Sequence, residues 1–509
     1  MFAVVLDQFV QQCPLAVMAR MTLQRALCPE WVDALFESHR EWQYTRELTF
    51  STVVELTSLV ALGMRPSLHA AARRDASLTV SMAALYAKVN RTEPALLRAL
   101  VRGSAEQLLP VVEPLRAGRT PLLPGFRVRV VDGNHLPASE KRLAPLRDFR
   151  GAALPGHALV VFDPDLGLAV DLIPCEDAYT SERVLMPAAM EAACAGDLWL
   201  ADRHFSTRSI ILGLVARSAH FVIREHKAHP NPTAVGPRRR IGRSETGVVF
   251  AQRVTIPKTD GGVLRLRRIE IELYEPTSDG ETLIRLLTNL PKAAADARKV
   301  ASLYLSRWTV ENLFQRLGSA LHSEVRTLGQ PRATLLMFAM AVVAFNVLSV
   351  LQSAVETAHT LAPADDVVST WHLAQEVRSH YPGMMVALPA AGWTSLVEAL
   401  PKEFTRSLLR LARQVDLRHI RKNGKRCMSP RSRRGDVESP RCADAWTPSR
   451  HSVAVCSSVV RGGGTVTCPR GRASSPASRR PRVSAQYRGA SSRYRWRGQY
   501  GITRMTSAR

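Results

Sequence analysis

The chain has 509 residues, with 69 Lys and Arg against 44 Asp and Glu and a formal net charge of +25. Its hydrophobic content of 46% is ordinary for a globular protein, which excludes disorder throughout the chain. Eight cysteines, none of them in a C-x-x-C pair, are too few for a disulfide scaffold of this length. The basic excess favours a polyanionic partner. No secretory leader is recognisable, so we expect a cytoplasmic protein.

Most of the charge lies in the C-terminal tail, residues 421–509, which contains 21 basic and 3 acidic residues. Residues 1–420 therefore contribute only +7 of the +25. The tail is rich in Arg, Ser, Gly and Pro, and we predict that it is disordered because it cannot bury a core. Two interpretations stay open for it: a nucleic-acid-binding arm, or an out-of-frame reading of a GC-rich gene.

Residues 1–120 are predicted to be helical. The segments with apolar residues at helical spacing are Glu30–His39, Ser51–Ala72, Leu78–Val89 and Glu93–Leu115. We interpret this region as an N-terminal helical DNA-binding domain, with basic edges to which Lys88 contributes. A solvated helical bundle without a DNA role is an equally good interpretation.

Residues 121–225 change to a strand pattern and predict the first part of a mixed sheet covered by helices. The predicted strands are Phe126–Val131, Ala158–Phe162, Leu168–Ile173, Leu198–Ala201 and Phe221–Ile223, and the predicted helices are Ser181–Cys194 and Thr207–Ala216. Residues 226–281 read as a β-rich insertion, with strands at Val248–Ile256 and Val263–Tyr274 and the basic run Arg238, Arg239 and Arg240. We expect these three arginines to bind DNA through phosphate contacts.

Residues 282–360 return to the sheet and its helices, with a strand at Leu283–Leu287 and one long helix at Ala293–His322. The apolar segment Ala333–Ala358 is long enough to span a bilayer. Asn346 and three further polar residues interrupt its second half, so we predict a buried core helix and no membrane association. Residues 361–420 predict two or three short helices within 368–419.

Two aspartates follow predicted strands directly. Asp132 comes after the strand Phe126–Val131, and Asp202 comes after Leu198–Ala201. Strand ends of this kind can bring carboxylates within a few ångströms of each other at a sheet edge, where a divalent cation offsets their repulsion.

A third carboxylate, Glu311, occurs in the pattern Tyr304-x-x-Arg307-x-x-x-Glu311. On one continuous helix these three side chains share a face. Each of these residues alone can have a purely structural role, since Asp-Gly usually forms a turn and Arg307 with Glu311 can form an ordinary ion pair within a helix. Together, however, three carboxylates offer the oxygen ligands that select Mg²⁺ or Mn²⁺. Two such ions can activate a nucleophile for attack on a phosphodiester.

The segments Val130–Leu136 (VVDGNHL), Leu200–Ser206 (LADRHFS) and Tyr304–Leu317 (YLSRWTVENLFQRL) resemble the three catalytic blocks of the DDE transposases of the bacterial insertion-sequence-four family. The resemblance covers about residues 20–425. It implies an RNase H-like core in which Asp132, Asp202 and Glu311 bind two Mg²⁺ or Mn²⁺ ions. It also implies that Tyr304 and Arg307 contact DNA.

Two departures from the family pattern are visible. The last position of the third block is Lys in the family and Gly318 here, which removes one phosphate contact. Residues 221–290 contain no Trp, whereas some members of the family use an insertion Trp to handle a flipped base, so a hairpin intermediate is doubtful.

The sequence therefore predicts a transposase that binds the terminal inverted repeats of an insertion sequence and catalyses phosphodiester hydrolysis and strand transfer. Its partners would be double-stranded DNA, at the element ends and at the target, and a second copy of the chain on DNA. Its location would be the bacterial cytoplasm, at the nucleoid. Two alternatives stay open: a related metal-dependent nuclease, and a decayed transposase that only binds DNA.

Overall fold

The computed structural model describes residues 2–75, 78–136, 145, 156–277, 279–325, 328–361, 367–388, 393 and 399–422. All of them lie in the compact unit Met1–Pro448. Apart from Arg421 and Lys422, the tail lies outside the described residues, so its disorder and its two interpretations stay predictions.

The first 116 residues form helices, as the sequence predicts. These are α1 (Phe2–Gln12), α2 (Pro14–Ala26), α3 (Pro29–His39), α4 (Phe50–Ala61), α5 (Leu68–Ala72), α6 (Met82–Arg91) and α7 (Pro94–Arg116). The single helix predicted at Ser51–Ala72 was wrong. Gly63 has a left-handed φ of +74° and ends α4, and Ser67 then caps α5 by accepting a hydrogen bond from the Ala70 N–H.

Lys88 does not form part of a basic edge. Its ammonium group is buried, donates to the Leu48 carbonyl oxygen at 2.9 Å and lies 4.3 Å from the ring centre of Phe36. The helical spacing places this residue on the inner face of α6, a position that charge alone does not reveal.

The strands form one ten-stranded mixed sheet. They are β1 (Arg127–His135), β2 (His157–Asp163), β3 (Leu168–Cys175), β4 (Asp197–Ala201), β5 (His220–Arg224), β6 (Thr233–Ala234), β7 (Arg239–Arg243), β8 (Gly247–Pro257), β9 (Val263–Leu273) and β10 (Leu283–Thr288). Their order is β3-β2-β1-β4-β5-β10-β9-β8-β6, and β7 pairs with β8. The sheet is flanked by helices, so the predicted mixed α/β class is confirmed.

Strands β1, β4 and β5 run parallel at the centre of the sheet, whereas the outer pairs are antiparallel. The carboxyl ends of the three central strands consequently meet at one edge. The predicted β-rich insertion forms strands β6 to β9, and it joins the sheet through pairing of β9 with β10. Helices α8 (Glu182–Met190) and α9 (Arg208–Ala216) cover one face of the central strands.

The other face of the sheet lies on a core that it shares with α7 and with the C-terminal helices. These are α10 (Ala297–Leu305), α11 (Trp308–Ala320), α12 (Pro331–Ala358), α13 (Thr370–Ala387), α14 (Pro401–Ala412) and α15 (Leu417–Ile420). Helix α12 is long and apolar enough to cross a membrane, with a mean hydropathy of 2.3 over its most apolar 18 residues, but almost all of these residues are buried inside the fold. The predicted buried core helix is confirmed. Two or three short helices were expected within 368–419, and the described part of this region has three, although α13 is longer than expected at 18 residues.

The polar residues of α12 all have specific partners. The Asn346 amide donates to the Ala169 carbonyl and accepts from the Ala169 N–H, both at 2.8 Å. Ser349 donates to the Gly167 carbonyl at 2.7 Å, and Ser353 accepts from the Arg116 guanidinium at 3.0 Å. Because a buried polar group is costly unless it is paired, these bonds fix the position of α12 against β3 and α7.

Candidate active site

The first aspartate lies inside a strand. Asp132 was predicted to follow the end of its strand, but β1 continues to His135 because residues 130–135 pair with β2. On its other side, β1 pairs with β4 only as far as Val130 and Leu200. The Asp132 side chain therefore lies where β1 loses one neighbour, at the open edge of the sheet.

The second aspartate is placed as predicted. Asp202 directly follows β4, and extension of the β1–β4 register brings it opposite Asp132. Its carboxylate accepts the backbone N–H of His204 at 2.7 Å and caps the short 3-10 helix Arg203–Phe205. This bond fixes one carboxylate oxygen and leaves the other available.

The third carboxylate is on a separate helix from Tyr304. The predicted continuous helix Ala293–His322 was wrong, since Asp296 caps the start of α10 and the helix is interrupted at Ser306 and Arg307. The Thr309 hydroxyl donates to the Ser306 carbonyl at 2.7 Å, and the backbone bonds around the junction tighten to i→i+3 spacing. Glu311 follows in the first turn of α11, beside the sheet edge.

Arg307 links the carboxylates. Its guanidinium donates to Asp132 at 3.1 Å and pairs with Glu311 at 2.6 Å, and its side chain is 11% exposed. The guanidinium also lies 5.1 Å from the ring of Trp308 and 6.0 Å from that of Tyr304. A buried cation thus occupies the space between two of the three predicted ligands. Burial works against its charge, but the neighbouring Tyr304, Asp132 and Glu311 outweigh burial and raise the pKa of Arg307.

Burial has a strong effect on Asp132. It raises the pKa of this carboxyl from 3.8 to about 7. The Arg307 guanidinium opposes the rise, and the charges of Asp202, Glu311 and Glu182 reinforce it. Several acidic groups therefore interact at one point of the sheet, which is the arrangement that a bound cation stabilises.

Tyr304 is buried under this cluster. Its side chain lies in the core, it forms a hydrogen bond with Arg307, and burial raises the pKa of its phenol to about 12. In this arrangement the tyrosine supports the arginine, and a DNA contact by either residue stays a prediction.

Glu182 is a fourth carboxylate at the site, and the sequence pattern did not predict it. It is the first residue of α8, and its carboxylate lies against Gly133 of β1. Burial raises its pKa, and the neighbouring charge of His135 opposes this rise. One feature of the sequence could have identified it. Strand β3 ends at the same sheet edge as β1, and Glu182 is an acidic residue in the first turn of the helix that follows β3.

Carboxylate oxygens suit Mg²⁺ or Mn²⁺ in chemistry and charge. Among the residues that the structure describes, no three His, Cys, Asp or Glu side chains are spaced to ligate one ion. The Arg307 guanidinium lies between Asp132 and Glu311 and pairs with both carboxylates. The residues therefore fit a divalent cation once Arg307 releases at least one carboxylate.

The basic run of the insertion divides into two kinds of residue. Arg238 is committed to the fold, since it pairs with Glu270 at 2.5 Å and Glu272 at 2.6 Å and lies 3.4 Å from the ring centre of Phe250. Arg239 and Arg240 are exposed on β7. A DNA contact by any of the three stays a prediction, and the absence of an ion pair to a described residue favours Arg239 and Arg240 over Arg238.

The raised pKa of Asp132 predicts a pH dependence of stability. Because the folded chain holds this proton more tightly than the unfolded chain, the contribution of Asp132 to stability is full below about pH 4 and is lost as the pH rises through about 7. We expect the wild-type free energy of unfolding to fall relative to that of Asp132→Asn by about 2–4 kcal/mol over this range. Urea unfolding in metal-free buffer measures the difference, and a difference independent of pH would contradict the assignment.

Comparison with known proteins gives a family match over the part of the chain that forms the sheet. The family model described as "Transposase DDE domain" matches residues 124–346, somewhat less than half of the chain. No curated protein matches the chain. The matched segment contains all three predicted ligands, and membership of the insertion-sequence-four family stays a prediction. Residues 124–346 are thus similar to transposase DDE domains, and their mixed sheet flanked by helices is consistent with an RNase H-like core.

Proposed function

We propose that the chain is a transposase that binds the terminal inverted repeats of an insertion sequence, hydrolyses a phosphodiester at each end and joins the freed 3′-hydroxyl to target DNA. The observation that supports this most directly is the position of Asp132, Asp202 and Glu311 at one sheet edge within the segment similar to transposase DDE domains. Both reactions are in-line displacements at phosphorus, so one site can perform them in turn.

The proposed metal ligands are Asp132, Asp202 and Glu311. Two bound Mg²⁺ or Mn²⁺ ions would activate the attacking oxygen and stabilise the leaving oxygen. In the first reaction, water attacks phosphorus and the bond to the 3′-oxygen breaks. In the second, that 3′-oxygen attacks a target phosphodiester, so one P–O bond forms as another breaks and no further energy source is needed.

Arg307 has two roles in this proposal. Before DNA and metal bind, it neutralises Asp132 and Glu311. Once these carboxylates bind cations, the guanidinium is free to fork onto a phosphate of the DNA. Tyr304, whose side chain lies in the core, forms a hydrogen bond with Arg307 in this metal-free arrangement.

DNA would be held mainly through phosphate contacts. Arg239 and Arg240 are suited to this because they are exposed and no described residue forms an ion pair with them. Exposed Arg73, Arg74 and Arg91 at the ends of α5 and α6 give the N-terminal helices a similar capacity. Cutting two element ends together implies a homodimer on DNA, acting at the nucleoid in the cytoplasm.

The proposal predicts metal-dependent cleavage that requires all three carboxylates. A supercoiled plasmid with the inverted repeats that flank the gene should be cleaved and joined in Mg²⁺. Asp132→Asn, Asp202→Asn and Glu311→Gln should each reduce cleavage by roughly 10³-fold or more, because groups that act as a unit fail together. The matched control is Glu191→Gln, which removes the charge of an exposed glutamate that is not a proposed ligand.

The same assay separates the alternatives. Cleavage without joined products would favour a nuclease. Binding of the repeats without cleavage in Mg²⁺ or Mn²⁺ would favour a decayed transposase. Undiminished cleavage by the Asp202→Asn variant would contradict the proposed ligand set.

The departure at Gly318 allows a test by gain of function. Gly318 lies on α11 two turns beyond Glu311, is exposed, and has no heavy atom within 4 Å of the position where a Cβ would lie. Gly318→Lys should restore a phosphate contact and steepen the dependence of log affinity for DNA on log salt by about 1. Gly318→Ala is the control, because it also removes the helix-destabilising effect of glycine, roughly 0.5–1 kcal/mol, but adds no charge.

Fluorescence anisotropy with labelled repeat DNA at several salt concentrations measures this slope. We expect the alanine control to keep the wild-type slope. Equal slopes for the lysine and alanine variants would show that position 318 does not face the DNA.

A further inference from the structure

The Glu182 carboxylate lies directly on the strand that bears Asp132. A Cβ added to Gly133 would lie 1.9 Å from Glu182 Oε1 and 2.3 Å from its Cδ. Such distances are far below van der Waals contact, so the carboxylate can occupy this place only because residue 133 is glycine.

Gly133 is not needed for its conformational freedom. It lies within β1, pairs with Leu159 of β2, and is not among the glycines with positive φ. Its missing side chain is the property that the structure uses. The Asp-Gly pair is typical of a turn in the sequence. In the structure, Asp132 provides one carboxylate, and Gly133 leaves space for the carboxylate of Glu182.

The charge of Glu182 is poorly balanced. Its side chain is only 20% exposed, and its one ion-pair partner among the described residues is His135 Nε2 at 4.0 Å, an imidazole that is cationic only when protonated. It is close enough to Asp132 and Asp202 for its charge to interact with both. A buried carboxylate beside two others is unfavourable unless a cation joins them.

Helix capping alone does not explain this placement. An acidic residue in a first turn interacts well with the helix dipole wherever its side chain points. Glu30 of α3 and Glu403 of α14 occupy such positions and are exposed. Glu182 is instead directed inward onto β1.

The two faces of the sheet contribute different carboxylates. Glu311 comes from α11, which packs on the same face as Val130, whereas α8 packs on the face of Val131. Glu182 therefore approaches the edge from the side opposite to Glu311. Two hexacoordinate ions have more coordination positions than three carboxylates can fill. Glu182, on the face of the sheet covered by α8, would supply one further ligand.

We propose that Glu182 is a fourth carboxylate ligand of the divalent-cation centre and acts beside Asp202, with Gly133 providing the space for it. This inference rests on the proposed function, because it extends the same metal centre.

Mn²⁺ binding to the full chain without DNA tests the inference. Isothermal titration calorimetry and Mn²⁺ electron paramagnetic resonance measure the affinity of the wild type, Glu182→Gln, Asp132→Asn and the control Glu191→Gln. We expect Glu182→Gln to weaken Mn²⁺ binding at least ~10-fold, since even outer groups of metal sites contribute 10–100-fold. The control, an exposed glutamate just beyond the same helix, should bind as the wild type does.

Gly133→Ala is a second variant that keeps Glu182 but displaces its carboxylate. It should weaken Mn²⁺ binding as Glu182→Gln does, with far-ultraviolet circular dichroism to check the fold. Wild-type Mn²⁺ affinity in Glu182→Gln, together with loss of affinity in Asp132→Asn, would overturn this inference and leave the proposed function intact. Wild-type affinity in Asp132→Asn would instead contradict the proposed metal centre.

Discussion

The bridge from Arg307 to Asp132 and Glu311 is the interaction on which the site depends. The sheet topology brings the ends of parallel β1 and β4 to one edge, and acidic side chains from α8 and α11 reach the same edge. Such a group of carboxylates would repel strongly in a partly buried environment if it had no counter-charge. Arg307 supplies that charge from a helix junction, and buried Tyr304 supports it from below.

The rigidity of the edge comes from the core behind it. Helix α12 bonds to β3 through Asn346, to the turn before β3 through Ser349, and to α7 through Ser353. The sheet and the N-terminal helices therefore pack around one buried element. Because these polar contacts are buried, sliding of α12 along the sheet would leave backbone groups unpaired. The carboxylates are thus held on a firm support, while Arg307 lies at an interruption between two helices and is the part of the site best placed to move.

Much of this could be predicted from the sequence, and the errors have physical causes. Alternating β-branched residues revealed the strands, and the position of Asp202 after a short apolar strand was right. The extent of β1 was wrong because pairing with β2 depends on a partner that local pattern does not show. The prediction of one long helix was wrong at Ser306 because the helical spacing of apolar residues continues unchanged through the tightened turn. The start of the helix could have been predicted, since Asp296 is a good N-cap residue.

Two features required the three-dimensional structure. Arg238 is indistinguishable in sequence from Arg239 and Arg240, and only the cross-strand partners Glu270 and Glu272 separate it from them. Glu182 was missed because its proximity to Gly133 depends on the packing of α8 against the sheet.

A crystal structure of the full chain with Mn²⁺, located by its anomalous scattering, tests the central claim most directly. The claim is that a divalent cation and the Arg307 guanidinium balance the same carboxylates. It predicts anomalous density beside Asp132 and Asp202, with Arg307 no longer within hydrogen-bond distance of both Asp132 and Glu311. An Arg307 that still bridges the two carboxylates, with no anomalous density at this edge, would contradict the claim.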